Sequence, residues 1–184
     1  EKTDLTHSYR RLRYGGRLRQ GDEREMASGA GGTVQLIYNA SAGRHCRRRL
    51  AALREQFEAG GARVILSEAG PGLAFEISEE ASHVCAAGGD GTARHVAMAV
   101  ARCGRPLPLS IYPGGTVNLV HREIASPLDP AAHAARSLGG AAASPHYAGE
   151  INDTLFLACL SVGPDSAAVA GVSLGLKSPL GKLA

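Results

Sequence analysis

The sequence predicts an α/β fold, a parallel sheet with helices on both faces, and three observations predict it. Short β-branched apolar runs alternate with segments whose apolar residues recur every three or four positions. The runs stop at glycine-bearing turns, and the composition, with 24 glycines and no tryptophan in 184 residues, asks for a core of Ala, Val, Leu and Ile. A chain of this length holds one domain of about 100–150 residues and the beginning of another. Hydrophobic residues at 44% and charged residues at 20% argue against wholesale disorder.

Residues 1–32 are expected to be a disordered or adventitious extension, polar and Arg-rich up to Glu25, with Met26 close to the natural start and a small, flexible stretch from Ala27 to Gly32. Val34 to Tyr38 reads as a buried first strand that stops at the turn from Asn39 to Gly43. Arg44 to Ala59 puts Leu50, Leu53 and Phe57 at helical spacing and ends at Gly60-Gly61. Arg63 to Leu66 is the second strand, Leu73 to Glu80 a helix, His83 to Ala87 the third strand, Thr92 to Arg102 a helix, and Pro108 to Tyr112 the fourth strand. Such repetition implies parallel pairing through right-handed crossovers, with ligands bound at the carboxyl ends of the strands. Helices over Val117 to Ile124 and Pro130 to Leu138 complete a domain spanning 33–140. Ser144 to Glu150 and Thr154 to Val162 then read as a hairpin about Asn152-Asp153, the start of an antiparallel second domain over 141–184.

The formal charge is +3, but arginines crowd the start (Arg10, Arg11, Arg13, Arg17, Arg19, Arg24) and return at Arg44, Arg47, Arg48 and Arg49. The ordinary reading is a solvated face; without interleaved aromatics for base stacking, nucleic acid is not an expected partner. Cys46, Cys85, Cys103 and Cys159 show no Cys-x-x-Cys spacing and read as reduced packing residues. His45, His83, His121, His133 and His146 form no i to i+4 metal pair and are assigned to surfaces or helix faces, so no metal ligands are predicted among them. Glu150 and Asp153 read as strand-end and turn residues. No run of about 18 apolar residues would cross a bilayer, and the expected location is cytoplasmic, at most peripheral at a membrane.

The strongest local signal is Gly88-Gly89-Asp90-Gly91-Thr92, which follows a strand and opens a helix. Glycines admit a phosphate close to backbone N–H groups, and the helix N-terminus adds favourable partial charge. Asp90 can orient a metal-bound or hydroxyl group, or else cap the helix; Thr92 offers a hydroxyl. A second glycine turn, Pro113-Gly114-Gly115-Thr116-Val117-Asn118, leaves the next strand and should face the same crevice.

With Asn39, Ser41 and Gly43 added, the three loops in this order and spacing resemble the diacylglycerol and sphingosine kinase group with its bacterial lipid kinase members, whose motifs are Asn-Pro-x-Ser-Gly, Gly-Gly-Asp-Gly-Thr and Pro-x-Gly-Thr-x-Asn. The resemblance runs from Thr33 to Ala184, more weakly at Gly149-Glu150, Gly163 to Ala167 and Lys177 to Ala184. It implies ATP and Mg2+ as cofactors and a lipid acceptor, diacylglycerol-like or sphingoid. It places Asn39, Ser41, Gly43 and Ser67 near the nucleotide, with Ser67 following the second strand. Gly88, Gly89, Asp90, Gly91, Thr92 and Thr116 would hold phosphates, and Asn118 would brace its loop. The family's second domain is a β-sandwich that supplies the catalytic base, expected beyond Ala184, so the chain is expected to have little activity alone. A catalytically inactive nucleotide-binding fragment and an NAD kinase-like enzyme are the alternatives; the later Pro-Gly-Gly-Thr-Val-Asn loop favours lipid kinases.

The sequence departs from the family pattern at three places. Ala40 replaces a proline, Arg94-His95 stands where Asn-Glu is common, and Leu119 replaces a frequent Asp; Arg122 agrees with a frequent Arg.

Overall fold

The computed structural model describes residues 32–42, 47–70, 72–139, 143, 148–151 and 154–158. The N-terminal extension, Gly43, the start of the first predicted helix at Arg44, Cys46, Cys159, His45, His146, Asp153 and the segment from 159 to 184 lie outside the described residues.

Four strands, β1 (Thr33–Tyr38), β2 (Arg63–Glu68), β3 (His83–Gly88) and β4 (Leu109–Pro113), form one sheet in the order β2-β1-β3-β4, every pair parallel. The central β1 is mostly apolar because both its faces are covered, Gln35 being its buried polar exception. On one face α1 (Arg47–Ala59) and α4 (Pro130–Leu138) pack through Leu53, Phe57 and Ala134 onto Val34, Leu36, Cys85 and Tyr112. On the other, α2 (Asp90–Arg102) lays Val96 and Val100 onto Ile37, Val84 and Ala86. A short helix, α3 (Leu119–Glu123), packs Val120 with Ala93 and Ile111.

The termini of these elements follow local chemistry. Asp129 caps α4, its carboxylate accepting from the Ala132 N–H at 2.8 Å, with Pro130 at the first turn where a missing N–H costs nothing. Asp90 in the first turn of α2 and Arg102 in the last both suit the helix dipole. Two short strands, β5 (Gly149–Ile151) and β6 (Thr154–Phe156), pair antiparallel as the predicted hairpin.

The helix predicted over Leu73 to Glu80 does not form. The crossover from β2 to β3 runs irregularly across the sheet, with Phe75 and Ile77 packed on it and Ala74 and Glu76 exposed, an alternation of two rather than a helical period. Gln35, buried in β1, holds it: Nε2 donates to Ser67 Oγ and to the Glu76 carbonyl, both at 2.9 Å, and Oε1 accepts from the Ser78 N–H at 2.9 Å. Arg105 clamps its far end, donating to the carbonyls of Ser78 at 2.6 Å, Glu79 at 2.8 Å and Ala81 at 3.1 Å. These bonds satisfy the backbone groups a helix would have satisfied internally.

Of the histidines assigned to surfaces or helix faces, His121 and His133 lie on buried helix faces and His83 is buried in β3. His133, 1% exposed, pairs Nδ1 with Ser126 Oγ at 3.0 Å, brings Nε2 to 3.7 Å from Cys85 Sγ, and meets the rings of Tyr112 and Phe57 edge-on. His83 pairs Nε2 with Ser110 Oγ at 2.9 Å. Burial pushes the pKa of each down to about 4. His121 is also buried and its pKa lowered, first by burial; its Nε2 has no hydrogen-bond partner among the described residues. The His83 and His133 rings each contribute apolar area and only a local polar pair, which lets an imidazole sit in a core as a neutral group. Cys85 is buried and Cys103 half-buried, both free thiols, and burial raises the Cys85 pKa to about 12. Of the basic run, Arg49 is not simply solvated: its guanidinium lies 5.1 Å over the Tyr112 ring and donates to the hydroxyl at 3.2 Å.

Candidate nucleotide site

The chain leaves β1 toward β2 on one side and returns to β3 on the other, so the strand order reverses between β1 and β3, the place where open parallel sheets bind ligands. Asn39, Gly70, the Gly88 loop and the Gly114 loop all gather at this carboxyl edge.

The loops are tied side to side. Asn39 donates through Nδ2 to Thr92 Oγ1 at 3.4 Å, while its Oδ1 accepts from the Ser41 N–H at 2.8 Å, a side-chain turn that fixes the loop despite Ala40 in place of proline. Gly114 donates its N–H to the Gly88 carbonyl at 2.8 Å. The approach is too close for side chains. A Cβ at Gly115 would stand 2.5 Å from the Gly89 Cα, and one at Gly88 would stand 2.5 Å from Thr92 Oγ1.

Asn118 sits in the left-handed region at φ 55 and closes the second loop on itself: its Oδ1 accepts from the Gly115 N–H and its Nδ2 donates to the Gly115 carbonyl, both at 2.8 Å. These two bonds hold the turn from Gly115 to Asn118 closed. Asp90 caps a helix, but not its own. Its Oδ1 accepts from the Val120 N–H at 3.0 Å, in the first turn of α3, and so joins the first loop to the element after the second. Its own helix has Gly89 at the N-cap and no side-chain cap.

Gly91 differs from its neighbours. It is exposed, its φ is not positive, and a Cβ there would meet nothing within 4 Å. Thr116 and Ser41 are exposed beside their loops. Ser67 stands within β2 rather than after it, and its hydroxyl accepts from Gln35, so this side chain is committed to the crossover. Sequence reasoning did not single out Gln35, Gly114 or the bond from Asp90 to α3. The repeated Gly-Gly in both loops was the available signal for their contact.

The arrangement offers the uncapped first turn of α2, with its unsatisfied N–H groups and favourable dipole, beside a buried threonine and a partly exposed carboxylate. A helix start of this kind is where anions are generally bound.

Comparisons with known proteins give the family. The diacylglycerol kinase catalytic domain is matched over residues 33–148. A probable lipid kinase YegS-like protein of Pseudomonas aeruginosa is 39% identical over 150 residues, covering 82% of this chain and 46% of the relative. One from Pseudomonas putida is 35% identical over 132 residues, covering 72% and 42%. A diacylglycerol kinase of Bacillus subtilis is 28% identical over 158 residues, covering 82% and 52%. The chain spans about half the length of the curated relatives it matches.

Proposed function

Because this chain belongs to the diacylglycerol kinase catalytic domain family, we propose that it is the nucleotide-binding part of an ATP-dependent lipid kinase, which passes the γ-phosphoryl group of ATP to a hydroxyl of diacylglycerol or a sphingoid lipid. Gly91 carries the reading. Inside a helix glycine costs about 1 kcal/mol relative to alanine, and neither backbone conformation nor any neighbouring atom requires it here. A phosphate seated against the first turn of α2 supplies the missing reason, since a Cβ would stand where the ligand approaches.

In this reading the N–H groups of Asp90, Gly91 and Thr92 receive a phosphate, Asn39 and Thr92 close one side, and Thr116 offers a hydroxyl from the other loop. Gly88, Gly89 and Asn118 act as support, and Ser41 and Gly43 belong to the first loop's approach to the nucleotide. Asp90 Oδ2, uncommitted among the described residues, fits a magnesium ion that takes one carboxylate and completes its shell with water and phosphate oxygens. Such an ion would supply positive charge at the transferring phosphate. The relatives' names support a lipid acceptor, diacylglycerol in one of them, and the sphingoid alternative comes from the resemblance of the three loops. No helix among the described residues is long and apolar enough to cross a membrane, so the lipid would be met at a peripheral contact.

Calorimetric titration with ATP tests the reading. The protein is expected to bind, and Gly91→Ala to bind at least about tenfold more weakly, a loss of about 1.4 kcal/mol, with its thermal unfolding temperature unchanged or raised. Unchanged ATP affinity in the folded variant would sink it. Phosphorylation of diacylglycerol against sphingosine in mixed micelles separates the acceptors.

A further inference from the structure

The strand pair β5–β6 is joined to the sheet domain at one small apolar cluster. Leu157, the residue after β6, packs with Ala93 of α2, Ile111 of β4 and Val120 of α3, and β6 itself lies against α2. Val120 is 3% exposed and is held at both ends. Its side chain sits in the cluster that Leu157 completes, and its N–H donates to Asp90 Oδ1 at 3.0 Å.

α3 is five residues long, and a helix shorter than about 12 residues is marginal by itself. It therefore stays where packing puts it, with His121 buried on one side and Val120 in the cluster with Leu157. Loosening that cluster shifts the Val120 N–H and frees the Asp90 carboxylate. The nearest place for a freed carboxylate is the first turn of its own helix. Asp90 opens α2, which has no side-chain cap, and unbonded N–H groups at a helix start attract negative charge. A carboxylate turned onto those groups would compete with a phosphate for them.

We infer that Leu157 is a positioning residue for the crevice: by seating Val120 it keeps the Asp90 carboxylate on α3 and off the first turn of α2, so that docking of the β5–β6 hairpin and phosphate binding favour each other. The inference rests on the nucleotide reading and goes beyond it, because it names a residue outside the sheet domain that sets the site. Coupling of this kind is reciprocal, so the ligand should steady the hairpin as the hairpin steadies the site.

The test is a calorimetric double-mutant cycle for ATP on the wild type, Leu157→Ala, Asp90→Ala and the pair, with folding checked by thermal unfolding. Leu157 is only half-buried, so Leu157→Ala is expected to fold, and it should weaken ATP binding about fivefold or more. Leu157→Met, of similar volume, should bind as the wild type does. With Asp90→Ala there is no carboxylate left to position, and the further loss from Leu157→Ala should shrink to within about twofold. Loss of mere packing would instead cost the same in both backgrounds. On the wild type alone, saturating ATP should slow amide exchange at Leu155 and Phe156 about fivefold or more, and this measurement decides if a variant fails to fold or binds too weakly to titrate. Equal losses in the two backgrounds, wild-type affinity in Leu157→Ala, or unchanged exchange in the hairpin overturns the inference and leaves the nucleotide reading standing. No ATP binding by the wild type overturns both.

Discussion

The loop from Gly88 to Thr92 and the loop from Pro113 to Asn118 leave adjacent strands side by side, yet they spend their polar groups differently. In the second, the Gly115 N–H goes to Asn118, the Gly114 N–H to Gly88, and the first turn of α3 to Asp90. In the first, the helix that follows begins without a side-chain cap, and Gly91 faces open space. A loop whose donors are consumed internally acts as a buttress, and one that opens an uncapped helix keeps donors for another partner. Gly88 and Gly115 are required by neighbouring atoms, whereas Gly91 meets nothing within 4 Å among the described residues.

The largest expected break of this division is Gly115→Ala. The new Cβ would meet the Gly89 Cα, a backbone atom that cannot rotate away, and the cost should reach about 3 kcal/mol, read as a lowered denaturation midpoint in urea. A variant of wild-type stability would show that the loops do not buttress each other.

Acid should weaken the protein next. The buttress continues into α3 and the segment that His133 holds through Ser126, and His83 lies buried in the same face. Both rings have folded-state pKa values depressed from 6.5 to about 4. Their contribution is therefore complete above 6.5 and is lost as the pH falls from there through about 4, where the unfolded chain takes up protons that the buried rings refuse. The loss should be on the order of 3 kcal/mol across that window, measured as urea stability against pH, and a flat profile would contradict it. Gly91→Ala in the unliganded protein is the smallest effect, a gain of up to about 1 kcal/mol, and a clear loss would mean the glycine serves the fold.

Much of this was legible in the sequence. The strands were readable because β1 and β3 are buried on both faces and so are mostly apolar, with Gln35 and His83 as exceptions, and α1 because Leu50, Leu53 and Phe57 keep a helical period. The loops were readable because close backbone approach excludes every residue but glycine. The crossover after β2 was misread because its alternation of Leu73, Phe75 and Ile77 is a weak local signal, settled by Gln35 and Arg105 from distant parts of the chain. His83 was misplaced for a related reason: a buried imidazole needs only a partner such as Ser110, and nothing in the local sequence marks that pairing. The position of Ser67 within β2, with its hydroxyl accepting from Gln35, was likewise not marked by the local sequence.

The most direct test of the division between the loops is an amide chemical-shift titration with ATP. The account predicts that the N–H signals of Asp90, Gly91 and Thr92 move most, and that those of Gly114 and Gly115, already bonded within the protein, move least. Shifts centred on Gly114 and Gly115, with the first turn of α2 unmoved, would contradict it.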